Sequence, residues 1–514
     1  MLNQLHFFRS WMRHPKQRGN LKWAFNVYRW WKLKGLTAAF CRLLILVFPK
    51  WYRPYQFLGD AFAAKYRCLR RIRPFNIEEL ISTSNKLISF YRSAVVLQPK
   101  KEVLHHNLFR IYILLGKMDD ALSSFRRYIQ MKRNFAEMHE LKKLNIRFFP
   151  VEQLGGIGLM GNLDAYIKSN MLGWRSAKQL ILLLPRNKIV GNPHFLKYWC
   201  KYLTIISDPV AIKILSPLAK YLEETIEEDC EGQVLFGPSA VAKVQEQWDK
   251  EGRPPLLNIT IDDLQRGWQC LRDLGVPQNA WFVCLHVREP GFKDGYSCID
   301  SYRNADIASY LLAIKTITEA GGWVIRMGDP SMTPLPPMES VIDYVHSNIR
   351  SDWMDVFCVA QCCFFIGTSS GLSSVAIAFG VPCVHTNYLP MCGLFFSSKD
   401  IFIPKLCRHK INGHILSFKE LLSPPLSAGV TQASYDLAYV EVLNNTEHEI
   451  NDVVLEMLNR IKNNLKYTDQ EEVFQKKFHQ LTVECQTIYG LENFGINCRI
   501  GKDFLGKHRS LLEA

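Results

Sequence analysis

Three hydroxyl residues and a glycine, Thr368, Ser369, Ser370 and Gly371, stand between an apolar run of strand type (Phe364 to Ile366) and a stretch of small residues of helical type. That stretch stops at Gly380-Val381-Pro382, before a second apolar run. A helix that begins in such a loop offers free N–H groups, hydroxyls and the positive end of its dipole to an anion, with a phosphate or diphosphate the favoured ligand. An ordinary strand–helix turn uses the same residue types. The functional reading therefore leans on the rest of the C-terminal half, where strands repeatedly end in polar residues. His286-Val287-Arg288 ends one of them. Arg288 can grip a diphosphate through two N–H groups, against the alternative of an ion pair with a neighbour such as Glu289. His286 could bond the same phosphates or shape the loop. Asp329 follows another strand and could bind a ribose or base, or form a turn. No Asp-x-Asp occurs in the chain. Enzymes that hold a sugar diphosphate through a divalent metal usually need such paired carboxylates. A metal-free site, with charge stabilised by Arg288 and the Thr368–Gly371 loop, is expected.

The elements that must position these residues alternate. Strand candidates at Ile146–Pro150, Gln179–Pro185 and Tyr202–Ile206 precede a helix from Ile259 to Leu274, capped by Thr260 or Asp262. Further strands are expected at Trp281–His286, Trp323–Asp329, Cys363–Ile366 and Val381–His385. Strands alternating with helices argue for parallel sheets. The class predicted is α/β, with two Rossmann-like domains on the plan called GT-B, preceded by a helical, tetratricopeptide-like region. The glycine cluster at 155–161 does not have dinucleotide-fingerprint spacing. It reads as a loop at a strand end, with Gly158, Gly161, Asn162 and Asp164 lining the acceptor side of a cleft. Over residues 76–142, Tyr112, Gly116, Ala121 and Phe125 have the spacing of a tetratricopeptide-type helical pair, with Tyr91, Ala94 and Pro99 one period earlier. The expected boundaries are a basic arm at 1–75, helices at 76–142, an acceptor domain at 143–275, a nucleotide domain at 276–445, and helices with a tail at 446–514.

The net charge of +15 is placed unevenly. Residues 1–75 hold 16 Lys/Arg against one acidic residue, Asp60, so the remaining chain is neutral. The arm also carries Trp11, Trp23, Trp30, Trp31 and Trp51. Basic and aromatic residues interleaved in this way suit an anionic membrane surface. The neutral body argues against a nucleic-acid partner. The apolar stretch from Leu36 to Pro49, broken by Arg42, is short of the roughly 20 residues of a spanning helix. The 15 cysteines include no Cys-x-x-Cys pair, so reduced, mostly buried thiols in a cytoplasmic setting are expected.

Four runs carry a family resemblance: His286-x-Arg288, Tyr302-Arg303-Asn304-Ala305-Asp306, Asp355-Val356-Phe357, and Phe365 through Pro382. Together they resemble a family of bacterial glycosyltransferases of surface-polysaccharide biosynthesis. The strand-end His-x-Arg is similar to that of the fucosyltransferase superfamily, where the arginine holds the nucleotide-sugar diphosphate. Glu289 departs from the α1,6-fucosyltransferase pattern, which has a second arginine there, and this leaves the sugar open. The resemblance implies transfer from a nucleotide-sugar, as substrate and with no resident cofactor, to a glycan or lipid-linked acceptor, at the inner face of a membrane. Asp294, Glu289 and Asp164 are the candidates for the base. The helical region is a possible protein-docking site. A GT-B-shaped nucleotide-sugar epimerase and a helical-repeat adaptor with an inactive body are the alternatives.

Overall fold

The computed structural model describes residues 37–69, 76–174, 179–223, 237–291, 299–391, 397–427, 431–488 and 498–513. Most of the basic arm, with Trp11, Trp23, Trp30 and Trp31, lies outside the described residues, as does Asp294. The chain divides into two compact units, Met1–Leu108 and Phe109–Ala514.

The described part of the first unit is helical. Helix α1 spans 37–47, α2 Tyr52–Leu69 and α3 Ile77–Leu97, and α4 (Glu102–Leu114) begins in this unit. Helix α3 starts at Asn76, whose side chain accepts from the Glu79 N–H, with Glu78 and Glu79 in the first turn. Leu80, Leu87, Tyr91 and Ala94, three to seven residues apart, form its buried stripe. The Tyr91 hydroxyl donates to Asp60, the acid of the otherwise basic arm, at 2.5 Å. Helix α1 buries Cys41 but leaves Phe40, Leu43, Leu46 and Val47 exposed. No described helix is long and apolar enough to cross a membrane.

The second unit opens with a helical turn at Gly116 (φ +67°) leading into α5 (Met118–Met138), where Ala121 and Phe125 are buried. A three-stranded parallel sheet follows, in order β1 (Ile146–Phe148), β2 (Gln179–Leu183) and β3 (Thr204–Ile206). The glycine cluster expected to be a loop is helical instead. It forms α6 (Ile157–Met160) and the entry to α7 (Asn162–Met171). Helix α8 (Ile261–Asp273) leads to the second sheet, and the Thr260 side chain accepts from Asp263 N–H as its cap.

The second sheet has seven strands: β4 (Phe282–His286), β5 (Trp323–Arg326), β6 (Val341–Ile342), β7 (Phe365–Gly367), β8 (Cys383–Tyr388), β9 (Ile401–Pro404) and β12 (Arg499–Ile500). A separate antiparallel pair joins β10 (Leu406–His409) to β11 (Val440–Leu443). The seven-stranded order is β12-β9-β8-β7-β4-β5-β6, parallel throughout. From β4 the chain winds outward through β5 and β6, then returns to β4's other side with β7. This is a doubly wound sheet, and its direction reverses between β4 and β7.

Strand β4 reads Phe-Val-Cys-Leu-His and is buried along its whole length, as expected for a strand covered on both faces. Alternation divides it: Val283 and Leu285 face one core, shared with α9 (Leu311–Glu319) and α12 (Glu447–Ile461). Phe282 and Cys284 face a second core. That core is continuous with Phe149, Leu180 and Leu182 of the first sheet and with α10 (Asp352–Gln361) and α11 (Ser373–Phe379). The two sheets thus share one hydrophobic interior. The α/β class with two parallel sheets behind helices is the observed one. The first sheet is the smaller, and β6 and β9 to β12 were not read from the sequence.

Candidate functional site

In an open parallel sheet, the strand ends at the reversal point leave a crevice, because the two neighbouring connections leave in opposite directions. Here that crevice lies between the C-terminal ends of β4 and β7. His286 is the last residue of β4 and pairs with Gly367, the last of β7. Arg288 and Thr368 follow immediately. The Thr368 N–H donates to His286 O (3.2 Å), and the Arg288 N–H donates to Thr368 Oγ1 (3.0 Å). Two segments that sequence reasoning singled out separately are stitched together across the switch point.

The charges converge here. Arg288 is mostly buried, and among the described residues its guanidinium pairs with Asp300, at 3.3 Å. Glu289 is not its partner. That carboxylate accepts from Arg326 (2.8 Å) and from the Thr333 N–H (2.8 Å). Arg303 reaches the same crevice from the other side. Its Nε donates to Ser369 O at 2.8 Å, and a second N–H of the guanidinium reaches the same oxygen. Burial first, then Arg303, lowers the pKa of Arg288. His286 is pushed down to about 4 by burial, then by Arg288, Arg326 and Arg303, so it is neutral at pH 7. A third cation, Lys405, is 2% exposed and donates to Asn304 O (2.6 Å) and Asn444 Oδ1 (2.7 Å). Burial brings it to about 7. It anchors the segment that carries Arg303. The Ala305 N–H anchors the same segment to Arg288 O (2.9 Å).

Three buried polar atoms around this crevice have no hydrogen-bond partner among the described residues: His286 Nδ1, Arg288 Nε and Ser370 Oγ. Each such group costs about 1–3 kcal/mol when left unmade. The hydroxyls expected to cradle a phosphate divide unequally. Thr368 is fully buried and its oxygen serves Arg288. The Ser369 hydroxyl donates to Leu389 O (2.8 Å). Among these hydroxyls, Ser370 is the one with no partner among the described residues. Thr368 and Ser369 thus shape the loop, while Ser370 and the loop backbone face the question of a ligand.

Gly371 meets the first sheet's side of the molecule. A Cβ built on it would lie 2.8 Å from Gly158 N, and one on Gly158 would lie 2.7 Å from Gly371 Cα. A Cβ on Gly161 would strike Ser374 Cβ at 2.4 Å. The glycine cluster is therefore a close backbone seam against the loop of the second sheet. Asn162 Nδ2 donates to Gln153 Oε1 (2.8 Å). Asp164 is buried and ion-paired with Lys168, which also donates to Gln245 (2.9 Å). Burial raises the Asp164 pKa, while Lys168 lowers it. Lys168 holds Oδ2, while Oδ1 is buried with no hydrogen-bond partner among the described residues, so the carboxylate is enclosed and poorly placed to take a proton from an acceptor. The Asp329 carboxylate accepts from the Ser331 N–H (3.0 Å), the turn-forming role. Glu289, with both oxygens engaged, is equally unsuited to take a proton.

Among the described residues one group has the composition of a metal set: Cys383, His385 and Asp400, all buried, within 4.8 Å of one another. The Asp400 oxygens accept from the N–H groups of Cys383 (2.7 Å) and Ser397 (2.8 Å), so this carboxylate clamps the turn before β9. Cys383 and Asp400 begin their strands, at the sheet end away from Arg288.

Arg303, Asp300 and Lys405 were missed as site residues. Arg303 stood inside a family-like run, but it lies in a short 3-10 turn between β4 and α9. Only tertiary folding brings that turn over β7.

No protein-family profile and no curated protein matches the chain. Solved structures do. The glycosyl transferase family 9 protein of Veillonella parvula is 9% identical, covering 50% of this chain and 85% of its own, with a TM-score of 0.33. The ADP-heptose lipopolysaccharide heptosyltransferase II of E. coli is 12% identical, covering 57% and 98%, also at 0.33. The O-GlcNAc transferase of Thermobaculum terrenum is 11% identical over 92% and 93%, at 0.24. Scores this low leave the functional argument to the site itself.

Proposed function

We propose that this chain is a nucleotide-sugar-dependent glycosyltransferase on the GT-B plan, with the donor diphosphate held at the β4–β7 switch point. One observation carries the reading. Two guanidiniums, Arg288 and Arg303, share a crevice with Asp300 as the neighbouring carboxylate, beside buried polar atoms that lack partners among the described residues. Cations arranged this way are costly to bury and suit an anion that spreads charge over several oxygens. In glycosyl transfer a nucleoside diphosphate leaves the anomeric carbon and gains negative charge as the bond breaks. Arg288 would stabilise that charge in the transition state more than in the bound donor, which is the condition for catalysis. His286, neutral at pH 7, would donate or accept through Nδ1 without adding to the crowded positive charge. Charge neutralisation by fixed guanidiniums supports a reaction that needs no divalent metal. The acceptor would approach from the side of the first sheet, over the Gly158–Gly371 seam. The base that takes the acceptor's proton is proposed to come from outside the described residues, with Asp294 the remaining sequence candidate.

The first unit is proposed to hold the enzyme at an anionic membrane surface near a glycan or lipid-linked acceptor of surface-polysaccharide synthesis. Helix α1 supports this with Phe40, Leu43, Leu46 and Val47 exposed beside Arg42 and Lys50.

The test is nucleotide binding and transfer by the full chain against a panel of nucleotide-sugars, with and without EDTA. Stabilisation by one nucleoside diphosphate, lost in Arg288→Ala, is expected, with turnover surviving chelation. Wild-type affinity in Arg288→Ala would sink the donor-site assignment. Sedimentation with phosphatidylserine vesicles, partly reversed by salt, is expected of the full chain. Failure to bind them would remove the membrane role.

A further inference from the structure

We infer that a cavity beside the switch point receives the nucleoside half of the donor, an extension that rests on the phosphate-site reading above. The cavity has a volume of about 420 Å³. It lies between the segment entering α9 and the loop that follows β5, and is lined by Glu289, Ala305, Ala308, Leu311, Pro334 and Pro336, among others. That volume falls within the roughly 300–1,000 Å³ typical of small-molecule sites and suits a group of nucleoside size.

Three features select the ligand. The walls are apolar and short, with prolines on one side and alanines on the other, which suits the flat face of a base. The polar groups at the rim are acidic. Asp306 also lines the cavity and is exposed, with Oδ1 accepting from the Ala308 N–H at 2.9 Å. Glu289 is fixed in place by Arg326 and the Thr333 N–H. Carboxylates accept from hydroxyl and amino groups and repel phosphate, so phosphate has no place here. The cavity adjoins the crevice through the backbone: Glu289 follows Arg288 directly, and the Ala305 N–H of the cavity wall donates to Arg288 O. An acidic, apolar-walled cavity adjoining a basic crevice matches a molecule with hydroxyl and amino donors at one end and a diphosphate at the other.

The topology agrees. β4, α9 and β5 form one strand–helix–strand unit at the switch point. In such units the phosphates sit at the end of the first strand and the nucleoside extends toward the second; here the cavity's carboxylates, Glu289 and Asp306, come from the connection between β4 and α9. The loop after β5 supplies Pro334 and Pro336, and the entry to α9 supplies Asp306 and Ala308.

Calorimetric titration of the full chain with UDP, GDP, ADP, CDP, dTDP and inorganic pyrophosphate tests this. At least one nucleoside diphosphate should bind tenfold or more tightly than pyrophosphate. Ala308→Trp and Pro334→Trp fill the cavity from opposite walls. Each should weaken that nucleotide at least tenfold while pyrophosphate stays within twofold. Arg288→Ala should weaken both ligands. Equal affinity of every nucleotide and pyrophosphate for the wild-type chain would overturn the inference without any variant. So would undiminished nucleotide affinity in a folded tryptophan variant. If Arg288→Ala leaves both ligands untouched, the phosphate-site reading fails, and the cavity loses its role with it.

Discussion

The two parallel sheets use their C-terminal edges in opposite ways. At the edge of the first sheet, charge is settled internally: Asp164 meets Lys168, Lys168 meets Gln245, and the remaining surface is glycine backbone pressed on Gly371. At the edge of the second, Arg288 has Asp300 at 3.3 Å, while Arg303 and Lys405 are held by uncharged oxygens of Ser369, Asn304 and Asn444. At the first edge Asp164 and Lys168 balance each other in charge, although Asp164 Oδ1 is buried without a partner among the described residues. On the proposed reading, the second is completed by an anion. The Lys168–Asp164 pair is the more deeply buried, at 2% and 7% exposed against 17% and 27% for Arg288 and Asp300, so depth of burial does not mark out the proposed site. The balance of charge does.

The sharpest way to break this contrast is to remove charge on each side. Arg288→Ala should lower transfer by about 10²–10³, the range seen when one group that stabilises a developing oxyanion is lost. Arg288→Lys should recover only part of it, because a point charge replaces a two-pronged donor. Steady-state rates with a saturating acceptor would measure both. Lys168→Met should behave in the reverse sense. It should cost about 3 kcal/mol of stability, the low end for breaking a buried pair, because Asp164 already inclines to the neutral form. Nucleotide affinity should hardly move. Urea titration and calorimetry on one preparation separate these outcomes, and a selective loss of nucleotide binding would erase the distinction between the edges.

Gly158→Ala probes the seam itself. A methyl group 2.7 Å from Gly371 Cα must push the backbones apart, at about 1–3 kcal/mol. The shift should appear in thermal stability and in the affinity for the acceptor. If the variant is as stable as the parent, the two edges are not in close contact.

The smallest effect expected is in pH. His286 titrates near 4 in the free protein because Arg288, Arg326 and Arg303 surround it in a buried place. A bound diphosphate offsets those charges and raises its pKa, so binding takes up protons between about pH 4 and the ordinary histidine range near 6.5. For a nucleotide-sugar, whose doubly esterified diphosphate does not titrate in that window, affinity rises as pH falls through it. Calorimetry at pH 5.5 in buffers of different ionisation heat should show fractional proton uptake, absent in His286→Gln. Proton release would mean that the imidazole lies away from the ligand.

How far the sequence carried the structure depended on residue order more than on residue type. Strands β2, β4 and β5 are built on continuous apolar runs, β8 opens at the end of one, and all four could be placed within a few residues. The Thr260 cap and the turn at Gly116 were legible because local chemistry requires them. The pair His286-x-Arg288 and Thr368–Gly371 stood out because polar residues end buried strands. The short strands β6 and β12 have two residues each, too few for any periodicity to register. The glycines near 158 looked like a loop because glycine is scarce in helices. Here their small size is used for close approach, a need set by a partner more than 200 residues away. Arg303 and Lys405 belong to segments whose positions are fixed only by the folded sheet.

The order of strands has a consequence for the timing of synthesis. Strand β9 pairs with β8 on one side and with β12 on the other, and β12 comes from Arg499 and Ile500. While the ribosome adds the intervening stretch of about 100 residues, β9 has one edge open. At roughly 5–20 residues per second, that interval lasts about 5–20 s. For that time Ile401-Phe402-Ile403 presents unsatisfied backbone to any neighbouring chain. A nascent chain halted before β12 is therefore the form most in need of a chaperone.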